Sequence, residues 1–305
     1  TPCGTLFPYT TLFRSMEAGM SKSYLDSLVG VFGHPVAENP TVVMIEAGFR
    51  AAGLDRWRYL TIDVPLEKLG QGMDAVRNLG FTGINLTIPH KVEVLQYLDD
   101  LSEAAEKIGA VNTVVNREGR LFGENTDGKG FLTGLREDAG IDPEGKRVLV
   151  FGAGGAARAI CVELGLAGAG HITIVNRTGG KAKELAGRVR DETGAAADAA
   201  ELKPDFFIPE KTEVVVQATS VGLYPDVDHR LDIDYGSLRP EMTICDVIPN
   251  PPATPFLAEA EKRGCTILDG LSMLVYQGVT GFKLWTGVDA PKDAMKEALS
   301  REFGV

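Results

Sequence analysis

The chain has 305 residues, 44% of them hydrophobic and 24% charged, with a formal net charge of -11. That length allows one large or two ordinary domains with real cores, and the acidic balance excludes a nucleic-acid surface, which needs clustered Lys and Arg. No run of roughly 18 apolar residues occurs, so the sequence predicts no membrane-spanning helix.

The first residues, TPCGTLFPYTTLFRS (1–15), have neither a basic n-region nor an apolar h-region, so they are not a signal peptide. They resemble translated adapter sequence and are expected to be a non-native leader, with Met16 or Met20 as the native start. From there strands and helices alternate. VGVFG (29–33) reads as a strand, TVVMIEAGFRAAGL (41–54) as a helix ending near Gly53, and RYLTIDV (58–64) as a strand. LEKLGQGMDAVRNLG (66–80) is the next helix, and GINLTIP (83–89) is a third strand stopped by Pro89. Helical segments follow, then AVNTVVN (110–116), a turn at Glu118-Gly119, and RLFGENTDG. This order predicts a mostly parallel α/β unit.

A second unit begins near residue 146, where KRVLVFGAGGAARAICVELGLAG reads strand, glycine turn, helix. HITIVNRT (171–178), TEVVVQATSVG (212–222), MTICDVI (242–248) and CTILDG (265–270) read as further strands. Residues 194–211 read as a surface connection, and the tail from Leu271 to Phe303 as helical. Cys161, Cys245 and Cys265 sit in apolar contexts without CxxC spacing, which predicts core thiols in a reducing, cytoplasmic setting. No grouping of His, Cys and carboxylates suggests a metal, and His34, His90, His171 and His229 read as bystanders.

Gly152, Gly154 and Ala157 form GxGxxA straight after the apolar strand VLVF. The first glycine permits the tight turn, the second lets a pyrophosphate approach the backbone, and the small third residue lets helix pack on strand. The helix N-terminus then offers N–H groups and a positive dipole end. The following strand ends in Asn176-Arg177-Thr178, where an NAD-selective site would carry Asp or Glu for the ribose 2′-OH. Arg177 instead suits a 2′-phosphate, with Lys181 adding charge, so NADP is expected in preference to NAD.

Lys91 stands just past the third strand and Asp127 just past the last strand of the first unit. Ligands collect at the carboxyl ends of strands in open α/β sheets. Hydride transfer at an alcohol carbon needs a proton moved at its oxygen, which a lysine sharing a proton with a carboxylate can do.

The stretches GINLTIPHK, GAVNTVV (109–115), GENTDGKG, GAGGAARA (152–159), NRT, ATSVG (218–222) and DGLSMLVYQG (269–278) occur in this order, and from Val29 to Gly287 the chain resembles shikimate dehydrogenase and its paralogues. The resemblance implies an α/β protein of two domains. A substrate domain (16–126) is completed by C-terminal helices (271–305), and a Rossmann-type NADP-binding domain covers 127–270. It implies Lys91 and Asp127 as the catalytic pair and Thr87, Asn112 and Gln277 as substrate ligands, with Asn85 and Asn125 bonding backbone around the cleft. It places the cofactor against Gly152, Ala153, Gly154, Gly155, Ala156, Asn176, Arg177, Thr178, Lys181, Thr219, Ser220 and Met273. The expected partner is a small cyclic polyol or keto acid, and the expected state is monomer or homodimer.

Two places depart from the family's pattern. The family's Ser-x-Ser-Pro, whose hydroxyls hold the substrate carboxylate, is replaced by the shorter, serine-free GHPVAENP (33–40), with Glu38 and Asn39 near the missing serines. A carboxylate about 4 Å from Glu38 would be repelled by roughly 4 kcal/mol at an effective dielectric near 20. In DVIPNPPATP (246–255), Pro249 stands where the family has a tyrosine, so a hydroxyl donor is lost. The expectation is a working dehydrogenase with a changed substrate: shikimate handled poorly, or a ring bearing an amine or no charge. The competing expectation is a cofactor-binding or regulatory paralogue that has lost catalysis.

Overall fold

The computed structural model describes residues 24–305. The expected leader (1–15) and both candidate start methionines lie outside the described residues.

The first part of the chain runs β1 (Ser27–Gly33), α1 (Thr41–Ala51), β2 (Trp57–Asp63), α2 (Leu69–Asn78), β3 (Gly83–Leu86), α3 (His90–Glu93), β4 (Asp100–Leu101), α4 (Glu103–Ile108), β5 (Thr113–Arg117) and β6 (Arg120–Glu124). Its six-stranded sheet has the order β2-β1-β3-β5-β6-β4. The parallel arrangement expected from the sequence holds for β2, β1 and β3, but β3 pairs β5 antiparallel and β5 pairs β6 antiparallel. The cause is local. Glu118 and Gly119 both adopt positive φ (54° and 88°) between paired Arg117 and Arg120, which makes a two-residue hairpin, and a hairpin can only return antiparallel. β3 is also shorter than GINLTIP suggested. It ends at Leu86, and the chain then runs on beside β1 through Thr87 N–H to Phe32 O and His34 N–H to Ile88 O, both 2.9 Å.

After α5 (Asp127–Glu137) come β7 (Arg147–Phe151), α6 (Gly155–Leu166), β8 (His171–Asn176), α7 (Gly179–Thr193), β9 (Ala197–Glu201), β10 (Val214–Gln217), β11 (Thr243–Asp246), α8 (Pro255–Lys262) and β12 (Thr266–Leu268). These strands form a second sheet, β9-β8-β7-β10-β11-β12, parallel throughout. This is the dinucleotide-binding order, reversing direction between β7 and β10, where such sheets open a crevice. Strand β9 replaces part of the connection expected over 194–211. Its sequence, ADAAE, has little β propensity, and pairing with β8 at the sheet edge overrides that.

The chain closes with α9 (Gly270–Thr286) and α10 (Lys292–Phe303). Asp269 caps α9, its Oδ1 accepting from Leu271 and Ser272 N–H at 3.0 and 3.2 Å. Both helices return to the first sheet. Val275, Phe282, Trp285, Met295 and Leu299 share a core with Val29, Val31, Met44 and Phe49, and the Trp285 indole donates to Val114 O at 3.0 Å. Helix α5 lies between α6 and α9. Glycines make both contacts close: a Cβ on Gly128 would meet Ala159 O at 2.5 Å, and one on Gly130 would meet Gln277 N at 2.7 Å.

Candidate active site

Lys91 lies in α3, the single turn that follows the irregular Thr87–Pro89 stretch. Its carbonyl accepts from Val111 N–H at 2.7 Å, which fixes the backbone. Its Nζ lies 2.5 Å from Asp127 Oδ2, with the two side chains 16% and 6% exposed. A contact this short and this sheltered holds the ammonium far more firmly than a surface ion pair.

Asp127 opens α5, where a carboxylate is favoured by the helix dipole. Its own N–H is bonded to Asn125 Oδ1 at 3.1 Å, and Asn125 Nδ2 donates to Ala110 O at 2.9 Å. The second carboxylate oxygen accepts from Asn112 Nδ2 at 2.9 Å. That same amide reaches Thr126 Oγ1 at 2.9 Å and Gln277 Oε1 at 3.3 Å, so its two hydrogens serve three acceptors. Asn112 Oδ1 accepts from Thr126 N–H at 2.7 Å. Asn85 braces this layer from β3, donating to Asn112 O and Thr113 Oγ1 while Tyr59 O–H donates to its Oδ1. Lys91, Asp127, Asn112 and Gln277 therefore form one connected cluster drawn from α3, α5, the approach to β5 and α9.

Thr87 lies in the stretch between β3 and α3, half-buried, and its side chain makes no hydrogen bond among the described residues. Glu38 and Asn39 are placed differently. Asn39 Oδ1 accepts from Thr41 N–H at 3.0 Å, at the first residue of α1. Glu38 is exposed, and its backbone carbonyl accepts from Asn250 Nδ2 at 3.3 Å. The short loop thus touches the loop containing Pro249, and the two departures from the family pattern meet. An exposed Glu38 is screened by water, which lowers its repulsion of a carboxylate 4 Å away toward about 1 kcal/mol.

The glycine turn lies between β7 and α6. Gly152 has φ 114°, and a Cβ there would meet Ala218 O at 2.6 Å, so only glycine makes this turn. A Cβ on Gly154 would meet nothing within 4 Å, and no side chain caps α6. Open backbone, bare helix N–H groups and a positive dipole end fit a pyrophosphate. Ala153 and Met273 are buried nearby in the same core cluster, while Gly155 and Ala156 begin the helix. Thr219 and Ser220 follow β10 at the reversal point. Past β8, Asn176 Nδ2 donates to Thr178 O at 3.1 Å. Arg177 and Lys181 are exposed, and no described residue pairs with either. Two free cations beside a pinned turn fit a phosphate monoester.

Residue reading missed Thr126, which is fully buried and bonded to Asn112, and Asn250, which reaches across to the 33–40 loop. The dense polar run Asn125-Thr126-Asp127 was the available signal for the first; nothing local marked the second. His90 is buried and its Nε2–H donates to Val64 O at 2.7 Å; burial lowers its basicity, which suits a neutral structural imidazole. Among the described residues no group of His, Cys, Asp and Glu could hold a metal ion, and no helix is long and apolar enough to cross a membrane.

A lysine–carboxylate pair set against the glycine turn of a dinucleotide-binding sheet defines a nicotinamide-dependent oxidoreductase. Residues 31–114 match the shikimate dehydrogenase substrate binding domain, 136–224 the shikimate / quinate 5-dehydrogenase, and 270–299 the shikimate 5'-dehydrogenase C-terminal domain. A shikimate dehydrogenase (NADP(+)) of Methanopyrus kandleri is 41% identical over 93% of this chain and 98% of its own. The 5-ketofructose reductase of Gluconobacter sp. strain CHM43, solved without ligand, is 47% identical with TM-score 0.83 over 92% of this chain and all of its own (100%). A shikimate dehydrogenase solved with NADP+ is 36% identical with TM-score 0.85, covering 91% of this chain and 96% of its own. The chain belongs to the shikimate dehydrogenase family and is an oxidoreductase of that family. NADP, expected from Arg177, is the cofactor named for its curated relatives.

Proposed function

We propose that this protein is an NADP-dependent oxidoreductase that interconverts a ketone and a secondary alcohol on a polyhydroxylated substrate without a carboxylate. The observation that carries the chemistry is the 2.5 Å contact between Lys91 Nζ and Asp127 Oδ2, beside the cofactor's glycine turn. The bound nicotinamide supplies or accepts the hydride. Lys91 gives a proton to the carbonyl oxygen as it becomes an alcohol, and takes it back in the reverse direction. Asp127 holds the ammonium in place and steadies its charge through the exchange. Thr87, Asn112 and Gln277 bind substrate hydroxyls. The backbone of Gly154 and α6 receives the pyrophosphate, with Arg177 and Lys181 on the 2′-phosphate and Asn176 and Thr178 shaping their turn. Ala153, Ala156, Thr219, Ser220 and Met273 line the rest of the cofactor's path.

The substrate reading rests on the loop 33–40, which has no serine to hold a carboxylate and is engaged instead with Asn250. The 47% identity to a reductase named for 5-ketofructose, an uncharged sugar, favours the same class here. A second reading, shikimate itself, is favoured by curated relatives such as the Methanopyrus kandleri enzyme at 41% identity. The catalytically impaired alternative is disfavoured by the intact Lys91–Asp127 pair.

The test is NADPH oxidation at 340 nm with 5-ketofructose, 3-dehydroshikimate, and ketones of quinate and of neutral cyclitols side by side. Preference for a neutral ketone is expected. Efficient turnover of 3-dehydroshikimate, with neutral ketones inert, would overturn the substrate proposal while leaving the chemistry intact. No turnover of any of them would support the impaired reading.

A further inference from the structure

The glycine turn contains one more glycine than its motif requires. In GxGxxA the demanding positions are Gly152, Gly154 and Ala157, and Gly155 occupies a variable one. No positive φ calls for glycine at 155. It is the first residue of α6, where alanine has the higher helix propensity. What a side chain there would meet is Lys91. A Cβ on Gly155 would come within 3.0 Å of Lys91 Cβ, 3.1 Å of Cδ and 3.6 Å of Cγ, and these are its three nearest neighbours. Gly154, one residue earlier, would meet nothing within 4 Å.

We infer that Gly155 is a positioning residue for the proton-transfer lysine: its bare backbone is the seat along which the Lys91 stem lies, so the cofactor's own loop sets the reach of Nζ toward Asp127. This rests on the proposed role of Lys91. Three contacts then define that side chain. Val111 N–H holds its backbone at 2.7 Å, Asp127 holds its tip at 2.5 Å, and Gly155 supports the stem between them. Val111 comes from the unit built on the first sheet, and Asp127 opens α5, which packs between α6 and α9. The third comes from the nucleotide-binding unit, so the amine is aligned only when the two units are in contact. A methyl group at 155 leaves little room for yielding, because Lys91 Cβ is fixed to the backbone and cannot swing aside as a distal atom can.

The experiment compares Gly155→Ala and Lys91→Met with the wild type, using NADPH and the best ketone from the substrate screen. For Gly155→Ala, kcat at saturation is expected to fall about ten- to hundredfold, the cost of displacing a reacting group by a fraction of an ångström to one ångström. The NADPH dissociation constant, read by fluorescence titration, is expected to stay within about threefold, since alanine keeps the backbone N–H that residue 155 offers the pyrophosphate at the start of α6. The thermal midpoint is expected to fall by no more than a few degrees, which also certifies folding, the strain of the added methyl being partly offset by the better helix propensity of alanine. Reductive methylation of Lys91 in the cofactor-free protein, followed by mass spectrometry, is expected to quicken as the amine loosens from Asp127. Wild-type kcat in Gly155→Ala with Lys91→Met inactive would overturn the positioning role alone. Weakened NADPH binding at unchanged kcat would assign Gly155 to the phosphates instead. Turnover retained in Lys91→Met would overturn the lysine's role, and this inference with it.

Discussion

Lys91, Asp127, Asn112 and Gln277 act as one polar cluster, so damage to any member should exceed the loss of a single hydrogen bond. Lys91→Met is expected to lower kcat by about 10²- to 10⁴-fold, the usual contribution of a general acid–base, without weakening NADPH binding. Single-turnover rates with saturating NADPH check this. Arg177 is expected to contribute mainly to cofactor choice. A charge-assisted bond is worth about 1.5–3 kcal/mol, so Arg177→Ala should narrow the NADPH-over-NADH preference by roughly tenfold to a hundredfold. Equal dissociation constants for the two cofactors in the wild type would refute the role. Lys91 and Arg177 stand next to strong local signals, a strand stopped by proline and a basic strand end after a glycine turn, whereas Asn112 and Gln277 were pointed to only by the family resemblance. Thr126 and Asn250 were not legible, because their partners lie far along the chain and only folding brings them together.

The loop from Asp246 to Thr254 couples two elements and carries its own pH dependence. Burial pushes the Asp246 carboxyl up to about 7, partly offset by hydrogen bonds from Thr254 O–H at 2.7 Å and Ile248 N–H at 3.0 Å. The folded state therefore holds a proton that the unfolded chain, with an ordinary carboxyl near 3.9, has released. Stability from this group is full below the unfolded value and is lost as pH rises through about 7. Asp246→Asn should flatten that decline, and parallel plots of thermal midpoint from pH 5 to 8 for the two proteins would refute it. On the same loop, Asn250→Ala removes the bond to Glu38 O and is expected to raise KM for the ketone about two- to tenfold, the worth of one hydrogen bond. An unchanged KM would dissociate that contact from substrate binding. At this scale the parallel nucleotide sheet was readable from its apolar strands. Strand β9 was hidden by its alanines, and the antiparallel half of the first sheet followed from a two-residue hairpin whose consequence for strand direction was not drawn from composition.

Across the whole molecule, the polar cluster around Lys91 is assembled from stretches far apart in the chain. Gln277 reaches Asn112 from α9, and Trp285 secures that helix to β5. A ligand that binds only the folded state stabilises it in proportion to its occupancy. NADPH at a hundredfold its dissociation constant should therefore add about 2.7 kcal/mol. For a chain of this length that is a rise of about 4 °C in thermal midpoint, and NADH at the same concentration should give less. The return of α9 and α10 also has a consequence on the ribosome. The segments carrying Asn85, Lys91 and Asn112 leave the exit tunnel well before α9 and α10, which bring the apolar face that covers Val29, Val31 and Met44. At about 5–20 residues per second the half-built sheet waits on the order of ten seconds or more for its lid, while the nucleotide-binding unit is translated in between. During that interval the nascent chain shows a hydrophobic surface to the cell, so chaperone capture during synthesis should concentrate on chains halted before α9.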